Sequence, residues 1–144
     1  AQEIADKFPE YILLNRLDKE TSGVMMFAKN EEFRQKAIEE FRKNRVYKEY
    51  VAIVEGKLID EQIIDLPIAT IKGKTARSKI DKKNGKPAIT KIYPNLVEGN
   101  KSKIKVVIEN GRTHQIRVHL QYIGYPIIGD GQYGKTIPQV QRVL

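Results

Sequence analysis

Two runs, Ala88-Ile89-Thr90-Lys91-Ile92-Tyr93-Pro94-Asn95-Leu96-Val97 and Lys103-Ile104-Lys105-Val106-Val107-Ile108-Glu109, flank the turn-forming Glu98-Gly99-Asn100. Both are rich in β-branched and aromatic residues, so they predict adjacent antiparallel strands joined by a short hairpin turn. Directly afterwards the pattern changes period. From Gly111 to Gly124 the apolar residues Ile116, Leu120 and Ile123 recur at helical spacing, with Thr113 as the expected N-cap and Gly124 as the stop. His114, Arg117 and Gln121 fall on another face of that helix, and an Arg and a His presented near a helix N-terminus suit an anion or a carboxylate.

Upstream, Arg45–Glu55 alternates, placing Tyr50, Ala52 and Val54 on one face and Val51 and Ile53 on the other, with Tyr47 opposite to Tyr50. Leu58–Asp65 predicts a less regular strand, and Pro67 is expected to keep the residues after it irregular. Glu31–Lys43 spaces Phe33, Ala37, Ile38 and Phe41 as an amphipathic helix, with Asn30 as N-cap, acids in the first turn and Arg42 and Lys43 at the end. Ala1–Phe8 has a weaker helical spacing that Pro9 ends. Tyr11–Leu14 and Val24–Ala28 are apolar runs, the latter expected as a buried strand. Strands outnumber helices and follow one another, which predicts an α+β fold built on a mixed, largely antiparallel sheet with a few helices.

The 144 residues suit one domain, and 40% hydrophobic residues supply one packed core. The chain contains no Cys, which excludes disulfides, thiolate metal sites and a cysteine nucleophile, and fits a reducing, cytoplasmic setting. No apolar stretch reaches the roughly 18 residues of a membrane-spanning helix, so no membrane partner is expected. His114 and His119 lack the spacing of a zinc site, and the glycines form neither a GxGxxG nor a Walker-type loop. The expectation is therefore chemistry without metal or cofactor.

Lys and Arg exceed Asp and Glu by 26 to 18, a formal +8 that favours a polyanionic partner, with nucleic acid first. The charge concentrates in Lys72, Lys74, Arg77, Lys79, Lys82, Lys83 and Lys86, against the single acid Asp81. Asn84-Gly85 is a two-residue turn signal, so this segment reads as an exposed basic hairpin. Its seven cations can grip phosphates, releasing counterions, or form an ordinary solvated hairpin.

Asn15-Arg16-Leu17-Asp18-Lys19-Glu20-Thr21-Ser22-Gly23 sets an acid in a turn-forming segment directly before an apolar run. A strand behind it would fix the loop, which makes Asp18 the candidate catalyst; the plainer alternative is a turn-capping acid solvated beside Arg16 and Lys19.

Three separated blocks carry a family resemblance. Arg16-Leu17-Asp18-Lys19-Glu20-Thr21-Ser22-Gly23 resembles the HRLDxxTSG block of RNA pseudouridine synthases of the RluA type. Lys48-Glu49-Tyr50-Val51-Ala52 resembles their second block, and Gly111-Arg112-Thr113-His114-Gln115-Ile116-Arg117-Val118-His119 their GRTHQIRVH block, followed by Tyr125-Pro126-Ile127-Ile128-Gly129-Asp130 and Tyr133-Gly134. Asn15 stands where the family has His, and Tyr125 where His is usual.

The resemblance implies an isomerase of uridine in RNA, mainly ribosomal RNA, with Asp18 as the essential catalyst. It further implies that Tyr50 meets the target base, that Arg117 pairs with Asp18 and holds it ionised, and that Arg16 braces the gap left by a flipped base. Ile128 would wall the base pocket, and Thr21, Arg112 and His114 would join the substrate-binding set. Relatives carry a further strand before the first block and more sheet after the tyrosine-glycine, so the chain reads as one incomplete catalytic domain, without an S4 RNA-binding domain, and as a monomer. An RNA-binding module or inactive fragment of the same domain is the alternative.

Overall fold

A computed structural model describes residues 6, 7 and 9–134. The helical expectation for Ala1–Phe8 lies, apart from Asp6 and Lys7, outside the described residues. The chain divides into two compact units, residues Ala1–Val46 and Tyr47–Leu144.

In the first unit, β1 (Ile12–Leu13) pairs antiparallel with β2 (Phe27–Ala28), with Ile12 opposite Ala28. Leu14 N–H donates to Met26 O at 2.8 Å, and there the backbone ladder gives way to a side chain. Asn15 Oδ1 accepts from Met26 N–H at 2.7 Å and its Nδ2 donates to Val24 O at 3.1 Å. An asparagine amide presents an N–H donor and a carbonyl acceptor side by side, as the backbone does along a strand, so it substitutes for the next rung. The expected strand Val24–Ala28 is accordingly only two residues long, and Val24 is 79% exposed rather than buried.

Helix α1 (Glu31–Arg42) starts where Asn30 Oδ1 takes Phe33 N–H at 2.8 Å, as expected of an N-cap. Asn44, at φ 54°, ends it, with Asn44 N–H on Phe41 O and Arg45 N–H on Glu40 O. None of its residues is buried: Ala37 and Phe41 are half-covered while Phe33 and Ile38 are exposed.

The second unit centres on a four-stranded antiparallel sheet in the order β3 (Lys48–Glu55), β8 (Lys101–Ile108), β7 (Ile89–Glu98), β4 (Gln62–Asp65). The quoted hairpin is its middle, with Glu98 paired to Lys101 across Gly99-Asn100 and Gly99 at φ 61°. Pro94 sits beside a bulge in β7, beyond Ile92, the last residue β4 pairs, where one strand edge is open and a missing N–H breaks no ladder.

Tyr50, Ala52 and Val54 face the covered side and Val51 and Ile53 the open side, as the alternation predicts. The covered side buries Val54, Leu58, Ile64, Ile92, Ile104 and Val106 together with Leu120 of α2 (Gln115–Tyr122). Gly124, at φ 88°, stops that helix, and Tyr125 N–H closes on Leu120 O at 2.9 Å.

Three local expectations differ. Strand β5 (Ile68–Ile71) begins directly after Pro67, a position that needs no ladder N–H, and pairs with β6 (Arg77–Ile80). The hairpin loop of that pair is Lys72–Ala76, and Asn84-Gly85 belongs to a separate turn. There Asp81 Oδ1 captures Lys83 N–H and Asn84 N–H, and Asp81 O takes Gly85 N–H at 2.9 Å. Gly85 serves close approach: a Cβ on it would lie 2.5 Å from Asp81 O and 2.8 Å from Ile68 N. Finally, Thr113 does not cap α2. His114 takes the N-cap position in the left-handed conformation (φ 56°), and Gln115 folds back so that Oε1 accepts Arg112 N–H at 3.0 Å.

Candidate active site

The second unit gathers its chemistry around Arg117, which α2 presents beside the turn Asp130–Tyr133. Arg117 Nε donates to Asp130 Oδ2 and Nη2 to Asp130 Oδ1, both at 2.8 Å, the two-pronged geometry that suits a guanidinium. Asp130 Oδ1 also accepts Gln132 N–H at 3.0 Å and Tyr133 N–H at 3.1 Å. Burial pushes the Asp130 carboxyl up, but Arg117 and these two amides outweigh it and hold it below the usual carboxylate range. Asp130, to which the sequence reading gives no role, thus places a carboxylate on this helix face.

Gln132 connects this pair to the basic hairpin. Its Oε1 accepts from Arg117 Nη2 at 3.1 Å and its Nε2 donates to Ala76 O at 2.7 Å. Arg77 Nη1 reaches Gln132 O at 3.3 Å. Tyr133 has the Arg77 guanidinium 5.2 Å and the Arg117 guanidinium 4.9 Å from its ring centre, both within cation–π range. Its hydroxyl accepts Ser78 N–H at 2.8 Å and lies 2.7 Å from His114 Nδ1, whose ring meets it edge-on. Burial raises the Tyr133 pKa, against the pull of the Ser78 N–H and of Arg117 and Arg77. Gln132 carries no signal in the sequence, and Tyr133 enters there only through the Tyr133-Gly134 motif segment, without a role.

A second network fixes α2 on the sheet. His119 is fully buried, with Nε2 2.9 Å from Leu66 O and Nδ1 2.6 Å from Thr90 Oγ1. A carbonyl only accepts, so Nε2 carries the proton and Nδ1 accepts from the Thr90 hydroxyl, which in turn accepts from Gln115 Nε2 at 3.1 Å. The imidazole is neutral, and burial keeps its pKa below the usual histidine value.

Of the remaining residues assigned from sequence, Tyr50 is half-buried and packs against the main core. Ile128 is buried; its N–H bonds Ile53 O at 2.9 Å, so the segment leading to Asp130 runs along the edge of β3. Arg112 is half-buried, with Nε on Pro87 O at 2.7 Å. Arg16, Asp18 and Thr21 belong to the first unit, where Arg16 and Asp18 are exposed and Thr21 N–H closes a turn on Asp18 O at 2.9 Å.

The seven basic residues are all exposed, but they separate into two groups. Lys72 and Lys74 occupy the β5–β6 loop with Arg77 next to it, at the end tied to Gln132; Lys82, Lys83 and Lys86 lie past the other end of β6, and Lys79 between them. Among the described residues no cluster of three or more His, Asp or Glu is placed to hold a metal ion, and no helix is long and apolar enough to cross a membrane.

This arrangement, a sheet-mounted tyrosine with a carboxylate-locked arginine and a basic hairpin, coincides with the motif blocks read from the sequence, and comparison with known proteins agrees. A family model of RNA pseudouridylate synthases matches residues 5–122. The chain belongs to that family. It is 47% identical over 143 residues to an RNA pseudouridine synthase of Helicobacter pylori, covering 99% of this chain and 59% of the relative. It is 33% identical over 146 residues to the tRNA pseudouridine synthase C of Haemophilus ducreyi, covering 92% of this chain and 60% of that one. The human RNA Pseudouridylate Synthase Domain Containing 1 superposes with a TM-score of 0.81 at 29% identity, over 94% of this chain and 60% of that structure. The chain thus spans about three-fifths of the length of these relatives.

Proposed function

We propose that the protein isomerises uridine to pseudouridine in RNA, with Asp18 as the catalytic carboxylate. The reaction breaks the bond from C1′ to N1, turns the base and joins C1′ to C5; N1 gains a proton and C5 loses one, so no electrons are exchanged and no redox cofactor is required. A carboxylate beside the sugar is a sufficient nucleophile or base. Arg117 supplies the positive charge that accompanies this carboxylate in the reaction. Tyr50 stacks on the base and helps remove the C5 proton. Because the glycosidic bond of a paired uridine is inaccessible, the nucleotide is flipped out, with Arg16 filling the gap and Ile128 walling the pocket. Thr21, Arg112 and His114 complete the substrate contacts, and the exposed lysines hold the phosphate backbone.

The observation that carries this reading is the fork of Asp130 on Arg117, the arginine of the motif block. It fixes the guanidinium plane of the one residue whose family role is electrostatic. Ribosomal RNA is the substrate we favour, with the enzyme acting as a cytoplasmic monomer; the relative named as a tRNA enzyme makes transfer RNA the second candidate. Tritium release from RNA carrying uridine labelled at C5, measured on the full-length protein, tests the activity. Wild type should release label and Asp18→Ala should not; release unchanged in Asp18→Ala removes Asp18 from the mechanism, and no release from wild type leaves an RNA-binding module. Pseudouridine mapping in cells lacking the protein assigns the RNA.

A further inference from the structure

β3 begins at Lys48, which pairs with Ile108 and lies on the same face as Tyr50 two residues on. Its side chain is half-buried, and the ammonium rests against Gly111: a Cβ there would stand 3.4 Å from Nζ. The next residue, Arg112, is held from two sides, by its Nε on Pro87 O and its N–H on Gln115 Oε1. Neither Lys48 nor Arg112 forms an ion pair with a carboxylate among the described residues. Burial first, and then the Arg112 charge, pull the Lys48 ammonium below the ordinary lysine range.

Two cations are thus brought together, partly out of water, without a counter-charge. In Arg34, Lys36, Arg42, Lys43, Arg45 and Lys91 the same chain gives exposed or half-exposed cations an acid partner. Lys48 differs from these in being half-buried with another cation, Arg112, as its charged neighbour, and beside it Gly111 leaves the approach to the ammonium free of a side chain.

We propose that Lys48 and Arg112, on either side of Gly111, form a phosphate site that seats the RNA backbone beside the nucleotide presented to Tyr50. This rests on the pseudouridine synthase reading. Residues two apart on one strand face are separated by about 6.6 Å, roughly the reach from a base to the phosphate of its own nucleotide. Unlike the exposed lysines of the β5–β6 hairpin, a half-buried pair makes charge-assisted bonds that are little screened, and it therefore sets which nucleotide docks as well as how tightly RNA binds.

Two measurements on the full-length protein test the site. The first follows the Lys48 side-chain NMR signals through a pH titration with and without inorganic phosphate. Phosphate should move the Lys48 midpoint upward in wild type and not in Arg112→Gln. The second measures affinity for RNA across a salt series. Lys48→Gln should weaken binding about tenfold and flatten the dependence of log affinity on log salt by about 0.7–0.9 per lost contact, while Lys48→Arg, which keeps the charge, retains both. A Lys48 midpoint indifferent to phosphate, or a Lys48→Gln salt line superimposed on wild type, overturns the proposal. Tritium release by wild type is scored separately: a phosphate-responsive Lys48 in a protein that releases no label keeps the anion site and removes the isomerase reading.

Discussion

Arg117 and Asp130 meet edge to edge, Nε on Oδ2 and Nη2 on Oδ1, each at 2.8 Å, with the Asp130 side chain 4% and the Arg117 side chain 20% exposed. Removing Asp130 takes two charge-assisted bonds from Arg117 in a place little exposed to water. Asp130→Ala should therefore lower the unfolding free energy by about 3 kcal/mol, the low end for a broken buried pair because part of Arg117 still reaches water. Urea denaturation at neutral pH measures it. If the fork also orients Arg117 for catalysis, single-turnover tritium release at saturating RNA should fall at least about tenfold in the folded fraction. A folded variant with an undiminished rate would leave Asp130 with a purely structural part.

His119 gives a pH dependence with a definite sign. The fold holds its imidazole neutral and its pKa below the ordinary value of about 6.5, so the unfolded chain binds the proton more readily. The stability it contributes is fully present above pH about 6.5 and is lost as pH falls through that value toward the folded pKa. Compared with His119→Gln by urea denaturation at several pH values, wild type should keep a constant advantage between about pH 7 and 8, and the gap should narrow below about pH 6. A gap that widens on acidification would mean that the buried ring is protonated.

The two groups of basic residues should be unequal. Lys72→Gln with Lys74→Gln, at the loop end tied through Gln132 to Arg117, should weaken RNA binding and reduce the salt slope by about 1.4–1.8 in total. Lys82→Gln with Lys83→Gln, beyond the far end of a hairpin whose strands span about 13 Å, should do less. Neither pair should change the single-turnover rate at saturating RNA. Parallel salt lines for all three proteins would reduce the segment to a solvated hairpin.

The sequence disclosed whatever depends on short-range pattern. The β7–β8 hairpin, the inward face of β3, the Asn30 cap and the Gly124 stop all follow from local spacing and side-chain chemistry, and all appear where expected. The β5–β6 hairpin was misplaced because Asn84-Gly85 satisfies a turn rule while Asp81, which captures the amides of Lys83 and Asn84, directs the residues elsewhere. The parts played by Gln132, and by Tyr133 within its motif segment, were not legible because their partners Ala76, Ser78 and Arg77 lie more than 50 residues away in sequence. His119 was hidden differently: it reads as one of two histidines without metal spacing, and only the neighbouring Thr90 and Leu66 carbonyl turn it into a core residue.

Asn15 acts as a latch on the loop that carries Asp18. A two-residue strand pair has little to hold its alignment, and slipping by one residue would exchange every inward side chain for an outward one. The Asn15 amide grips Val24 O and Met26 N–H together, and a slip would lose both at once. The segment Arg16–Gly23 is thereby closed at a fixed length, like a cord knotted at both ends, and the position of its acid is governed by one uncharged side chain.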